Sequence, residues 1–193
     1  MSNSNEKKPG ILGRFLSQRG MGQVITVGVG LVILCLVFGF INPNFFTYRN
    51  VANLLRQIAP ILLIGVGQSY VLFTGNIDLS VGSVVGMSCM ISATLMCHGM
   101  NPWVSVVITM ACCLAVGCVN GVLVSKCKLP PFIATLGTMT IARGIAQIVN
   151  GNYNTDSIGE AAKGFRTFFY SGKFMGIFSA FWIAMAVCWY LTI

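Results

Sequence analysis

Residues 22–41 carry no charged side chain, and about 20 apolar residues in a helix are what it takes to cross the hydrocarbon core of a bilayer. A chain holding one such run is already constrained. This one holds several more, at residues 52–73, 81–97, 104–124, 132–149 and 174–193. In lipid every backbone polar group has to be satisfied within the chain, which leaves helices or a closed barrel. The runs are long and lack the period-two alternation of barrel strands. The expected fold is therefore all-α, a polytopic transmembrane bundle of about six helices. Composition agrees, with 8% charged residues against about 25% in soluble domains.

The punctuation between the runs is that of short membrane loops. Asn42, Pro43 and Asn44 stop the first helix, and Phe45, Phe46 and Tyr48 suit a membrane–water interface. "HGMNPW" makes a hairpin with Trp103 as an interface anchor, and "SKCKLPP" breaks the chain again. Lys and Arg set the orientation. Residues 1–20, with Glu6 against Lys7, Lys8, Arg14 and Arg19, form a basic cytoplasmic N-terminal segment. Counting spans, Lys126 and Lys128 also lie inside and the mixed-charge segment 150–173 lies outside, with Arg49 the one short-loop exception. The first apolar run is too long for a signal-peptide core and lacks an A-x-A cleavage site. Residues 21–193 then form one membrane domain. The chain closes on Trp189, Tyr190, Leu191, Thr192 and Ile193 without a basic anchor, and this domain is expected to be the N-terminal part of a longer one, truncated at its C-terminus.

Several function classes drop out. The net charge of +8 is scattered at the ends of apolar runs rather than gathered on a face, so nucleic acid is not an expected partner. The eight cysteines fall mostly within apolar runs, none in CxxC spacing, and His98 is the only histidine. Convergent ligands for a metal are missing from this pattern. With four acidic residues in all, no acid–base cluster is visible and no catalytic residue is assigned.

One acid stands apart. Asp78 lies in "LFTGNIDLSVGSVVG", an apolar, glycine-rich stretch in which the first basic side chain to follow is His98. Gly75, Asn76 and Asp78 favour a break between the second and third helices. Two readings of Asp78 stand together. Asp78 or Ser80 can accept hydrogen bonds from the free N–H groups of the third helix, whose dipole favours a carboxylate. Alternatively the break dips into the membrane, where non-helical backbone persists only if it is buried in protein or lines a cavity, and an intramembrane carboxylate marks a functional path. Arg143 poses the same choice in the fifth span: it snorkels outward or pairs inside the bundle. Thr135, Thr138, Thr140 and Gln147 make that helix polar enough to prefer protein or water to lipid. The spacings Gly82–Gly86 and Gly117–Gly121 permit close helix contact, although a chain with 22 glycines produces such spacings through ordinary packing.

The strings "GNIDLSVGSVVG" and "LPPFIATLGTMTIARGIA", with "NFFTYRNVANLLRQIAPILLIGVGQSYVL" before them, resemble the membrane permease subunits of bacterial ABC importers for monosaccharides of the ribose, galactose, xylose and arabinose type. The resemblance runs from about residue 20 to the end. It implies a cell-membrane transport subunit that pairs with a second permease copy. It also implies a cytoplasmic ATPase that binds the ATP and an external sugar-binding protein that delivers the solute. The permease itself takes no cofactor. Family members continue through further spans, and the segment that docks on the ATPase lies in that later part. A sugar path needs hydrogen-bonding groups with few fixed charges, which Asn76, Asp78, Ser80, Ser83, Thr135, Thr138 and Arg143 supply. The alternatives are an ion-coupled secondary transporter, for which Asp78 is the one carboxylate available in a span, a membrane-embedded enzyme, and an assembly role.

The orientation has a direct check. On intact cells a membrane-impermeant maleimide is expected to modify a cysteine placed at Asn154 and to reach Cys127 only after permeabilisation. The reverse pattern would invert the topology.

Overall fold

The computed structural model describes residues 21–156, 158, 160–174 and 177–192, so the basic segment 1–20 lies outside the described residues. The chain divides into two units, Met1–Val51 and Ala52–Ile193.

In the first unit α1 spans Met21–Ile41. Its end is fixed locally. Asn42 Oδ1 accepts from the Asn44 amide at 2.9 Å and Asn50 donates to the Phe45 carbonyl at 2.7 Å. Phe45 stacks on Phe38 and meets Phe46 edge-on. A Cβ at Gly39 would come within 2.2 Å of the Phe46 ring, so the turn folds back only because position 39 has no side chain. α2, Tyr48–Phe73, starts four residues before the expected 52–73, because the Asn44–Thr47 turn hands directly into a helix.

The second unit is built around α3, Val81–Cys97, which packs on both α4, Pro102–Ser125, and α5, Pro131–Ile148. Its interior is small and polar. Ser80, Thr94, Ser105, Thr109, Asn120, Thr135 and Thr138 are buried together with Met87, Met96 and several alanines. The large aliphatics point outward, so that on α5 Ala142 is 1% exposed and its neighbour Ile141 63%. In water this distribution would be inside out. In lipid it is the expected one, because tails solvate Ile and Leu as well as a core does, and helices associate through small residues that let them approach. Two of the buried hydroxyls return to their own helix: Thr109 donates to the Ser105 carbonyl at 2.7 Å and Ser105 to that of Asn101 at 3.1 Å, which keeps them satisfied without water.

Loops alternate between two ends of this unit. Gly99, at φ 81°, makes the α3–α4 hairpin, and Asn101 caps α4 by accepting from the Trp103 amide at 2.9 Å. At this end Trp103 packs against Phe165, Phe168 and Phe169 at 5.5–5.9 Å between ring centroids. Those rings belong to the segment after α5, which forms a 3₁₀ turn at Glu160–Ala162, the short α6 at Lys163–Arg166 and a π turn at Thr167–Ser171. An antiparallel pair follows, β1 Lys173–Phe174 with β2 Ile177–Phe178, then α7, Ser179–Thr192. The guanidinium of Arg56 on α2 lies 4.5 Å from the Phe178 ring centroid, a cation–π contact.

All six expected runs are helical. The sixth is shorter than the 174–193 anticipated, since the hairpin takes its first residues. Among the described residues α1, α2 and α4 are long and apolar enough to cross a membrane. α3, at 17 residues, is about 26 Å long against a core of about 30 Å, because the break before it removes residues from the helix.

Ala142→Leu is expected to overpack the buried face of α5 and cost about 1–3 kcal/mol, lowering the melting temperature in detergent. Ile141→Leu, on the lipid face, should leave it unchanged. Equal losses from the two would contradict the assignment of faces.

Candidate functional site

The break between α2 and α3 is built, not frayed. Asn76 N–H reaches back to the Val71 carbonyl at 3.2 Å and Gly75 N–H to that of Leu72 at 2.9 Å, with Gly75 at φ 74°. This is the helix-ending pattern that needs a left-handed residue, which glycine adopts without a Cβ clash. The chain then runs without regular secondary structure to Ser80. Gln68 Nε2, one turn and a half before the end of α2, donates to the Asp78 carbonyl at 3.0 Å and ties this irregular segment back to that helix.

At Asp78 the side chain turns onto its own backbone. Oδ1 accepts from the Ser80 amide at 2.8 Å and from the Ser80 hydroxyl at 2.6 Å. Asn120 of α4 donates Nδ2 to Ser80 Oγ at 3.1 Å. Amide, hydroxyl and carboxylate thus form a relay that joins α4 to the head of α3. This corrects the expected cap. Ser80 occupies the N-cap position of α3 but its side chain caps nothing there. Its one hydrogen is committed to Asp78, and Asp78 holds the Ser80 amide rather than an N–H inside the first turn. Ionised carboxylate acceptors make the stronger hydrogen bonds, which is why the hydroxyl turns that way.

Beside the relay lies an open recess of about 430 Å³ between the break, α4 and the start of α5. Asn76, Asp78, Asn120 and Thr135 line it. Asn76 donates Nδ2 to Thr74 Oγ1 at 2.8 Å, and Thr135 donates its hydroxyl to the Pro131 carbonyl at 2.8 Å. Ser80 is 2% exposed behind Asp78. The other predicted residues lie elsewhere. Ser83 is half-buried one turn into α3. Thr138 is buried within the bundle, donating to carbonyls of its own helix. Arg143 is exposed, two turns beyond Thr135 and about 12 Å along the axis. It does not join the recess.

The glycine spacings also need correction. A Cβ at Gly82, Gly86, Gly117 or Gly121 would meet nothing within 4 Å, so within this chain they make no close helix contact. The helix interfaces are made by Ser, Thr, Ala and Met instead. Gly117 and Gly121 form a low wall of the recess. Sequence reading missed Asn120 and Gln68. An amide inside the apolar run of α4 was the available signal, since a polar side chain at that depth requires a partner.

The family model described as "Branched-chain amino acid transport system / permease component" matches residues 50–193. The chain is 35% identical over 158 residues to a ribose import permease protein of Bacillus subtilis (strain 168), covering 82% of this chain and 48% of that one. It is 36% identical over 164 residues to a fructose import permease protein of Bifidobacterium longum, covering 81% and 46%. A ribose import permease protein of Haemophilus influenzae is 34% identical over 192 residues, covering 97% and 57%. The chain spans about half the length of these curated relatives. No solved structure shows significant similarity.

Ser80→Ala is expected to leave the Asn120 amide without its acceptor and to cost about 1–3 kcal/mol in detergent unfolding. Ser88→Ala, whose hydroxyl only returns to the Val85 carbonyl, should cost little. Equal stability of the two would deny the relay a structural role.

Proposed function

Because the chain belongs to the family of branched-chain amino acid transport system permease components, we propose that it forms part of the translocation path of an ATP-driven importer for a monosaccharide in the cell membrane. The permease components similar to it are named for ribose and fructose import. The observation that carries the reading to particular residues is the recess. It gathers Asn76 and Asp78 from the α2–α3 break, Asn120 from α4 and Thr135 from α5 around one space. These side chains are neutral hydrogen-bonding groups with a single carboxylate, the lining a polyhydroxylated neutral solute requires.

In this reading the chain moves solute and hydrolyses nothing. A cytoplasmic ATPase binds the ATP, a second permease copy completes the path, and an external binding protein presents the sugar. An ion-coupled carrier fits less well. It would need a carboxylate free to take up and release a proton, whereas Asp78 Oδ1 holds two hydrogen bonds that fix the head of α3.

The test is sugar uptake in cells expressing the intact transporter with its ATPase and binding protein. Uptake of ribose is expected to survive a protonophore and to vanish with the ATPase. Asp78→Ala should lower it about tenfold or more, the effect of losing about 1.4 kcal/mol, at unchanged membrane abundance. Undiminished uptake by that variant would reduce Asp78 to a fold residue.

A further inference from the structure

The relay fixes which way every hydrogen points, and what it leaves over is directional. A carboxylate accepts only, and a serine hydroxyl has one hydrogen. With that hydrogen on Asp78 at 2.6 Å, the group facing Ser80 Oγ from Asn120 has to be the NH₂. The Asn120 carbonyl oxygen is therefore turned away from the relay. It is buried and has no hydrogen-bond partner among the described residues. Asn120 as a whole is 7% exposed and lines the recess. A buried acceptor without a donor costs about 1–3 kcal/mol, so its presence there calls for a donor that arrives from outside the chain.

The rest of the lining has the same polarity. Thr74 donates its hydroxyl to the Val71 carbonyl, Ser125 to that of Gly121 and Thr135 to that of Pro131. Asn76 spends an N–H on Thr74. Each hydroxyl hydrogen around the recess is thus used internally, while hydroxyl lone pairs, amide carbonyls and Asp78 Oδ2 remain beside one N–H each of Asn76 and Asn120. Gly117, one turn before Asn120, and Gly121, directly after it, also line the recess and add no side chain to it.

We propose that the recess reads hydrogen-bond donors, and that Asn120 is its specificity-determining residue, the acceptor for one hydroxyl hydrogen of the passing solute. This rests on the monosaccharide-path reading and deepens it. A recess whose hydroxyl hydrogens are spent internally while acceptors remain favours O–H groups, so it discriminates by hydrogen-bond polarity as well as by size.

Fluorinated sugars separate these properties, because replacing OH by F roughly keeps the volume and removes the donor. Uptake efficiency of the intact transporter is measured for ribose and for its deoxy and deoxyfluoro analogues at each hydroxyl. For the wild-type chain at least one position should show both analogues about tenfold or more below ribose, as loss of one such bond implies. In Asn120→Ala that ratio should collapse towards one at the same position and persist at the others. The ratio is internal to each variant, so a lower amount of folded protein cancels. Should Asn120→Ala fail to reach the membrane, Asn120→Ser, a small polar replacement that also lacks the amide carbonyl, should show the same collapse. Wild-type discrimination that survives both substitutions would overturn the inference while leaving the transport reading intact. A wild-type transporter that imports none of these sugars would overturn the reading itself.

Discussion

A carboxylate inside an apolar chain has to be satisfied by groups the chain itself supplies. Asp78 is satisfied by the amide and hydroxyl of the residue that opens α3, and that hydroxyl is in turn held by Asn120 from α4. The result is an anchor between two helices whose contacting side chains are otherwise small. Few hydrophobic driving forces act between helices in lipid, so position in such a bundle depends on close packing and on hydrogen bonds of this kind. The relay sets where α3 begins. It also places the irregular 76–80 segment beside α4 and α5, and thereby makes the recess.

Much of the fold was legible because lipid as a solvent imposes simple rules. Run length gave the helices, and Gly75, Gly99 and Asn101 gave the turns. Counting spans puts the 74–80 and 125–131 loops at one end, and in the structure residues of both line a single recess. The end that carries the segment after α5 was less legible. The pairing of 173–174 with 177–178 hides in a stretch that reads as apolar helix, because Phe174, Ile177 and Phe178 serve a strand as well as a span, and that pairing decides between them.

The site was legible in outline only. Asn76, Asp78 and Thr135 stand out as polar residues in apolar surroundings, and they do meet. Arg143 stands out equally and lies elsewhere, since hydropathy reports depth but not the direction a side chain takes around its helix. For the same reason the glycine spacings suggested helix contacts at faces that are open. Ser80 was assigned the role its position usually confers. Its hydroxyl instead follows the stronger acceptor, a choice that depends on Asp78 being two residues away and Asn120 forty. Asn120 needed the tertiary structure, because its significance lies in which of its two amide atoms is left without a partner.

A recess that carries solute has to be wet from within the membrane domain and has to be occupied when solute is present. Cysteines placed at Asn76 and at Thr135, probed in the intact transporter with a charged thiosulfonate reagent, report both properties. Expected is modification at both positions, slowed by saturating ribose, with a cysteine at the lipid-facing Ile141 remaining unreactive. Resistance at Asn76 and Thr135, or modification indifferent to sugar, would contradict a solute path through this site.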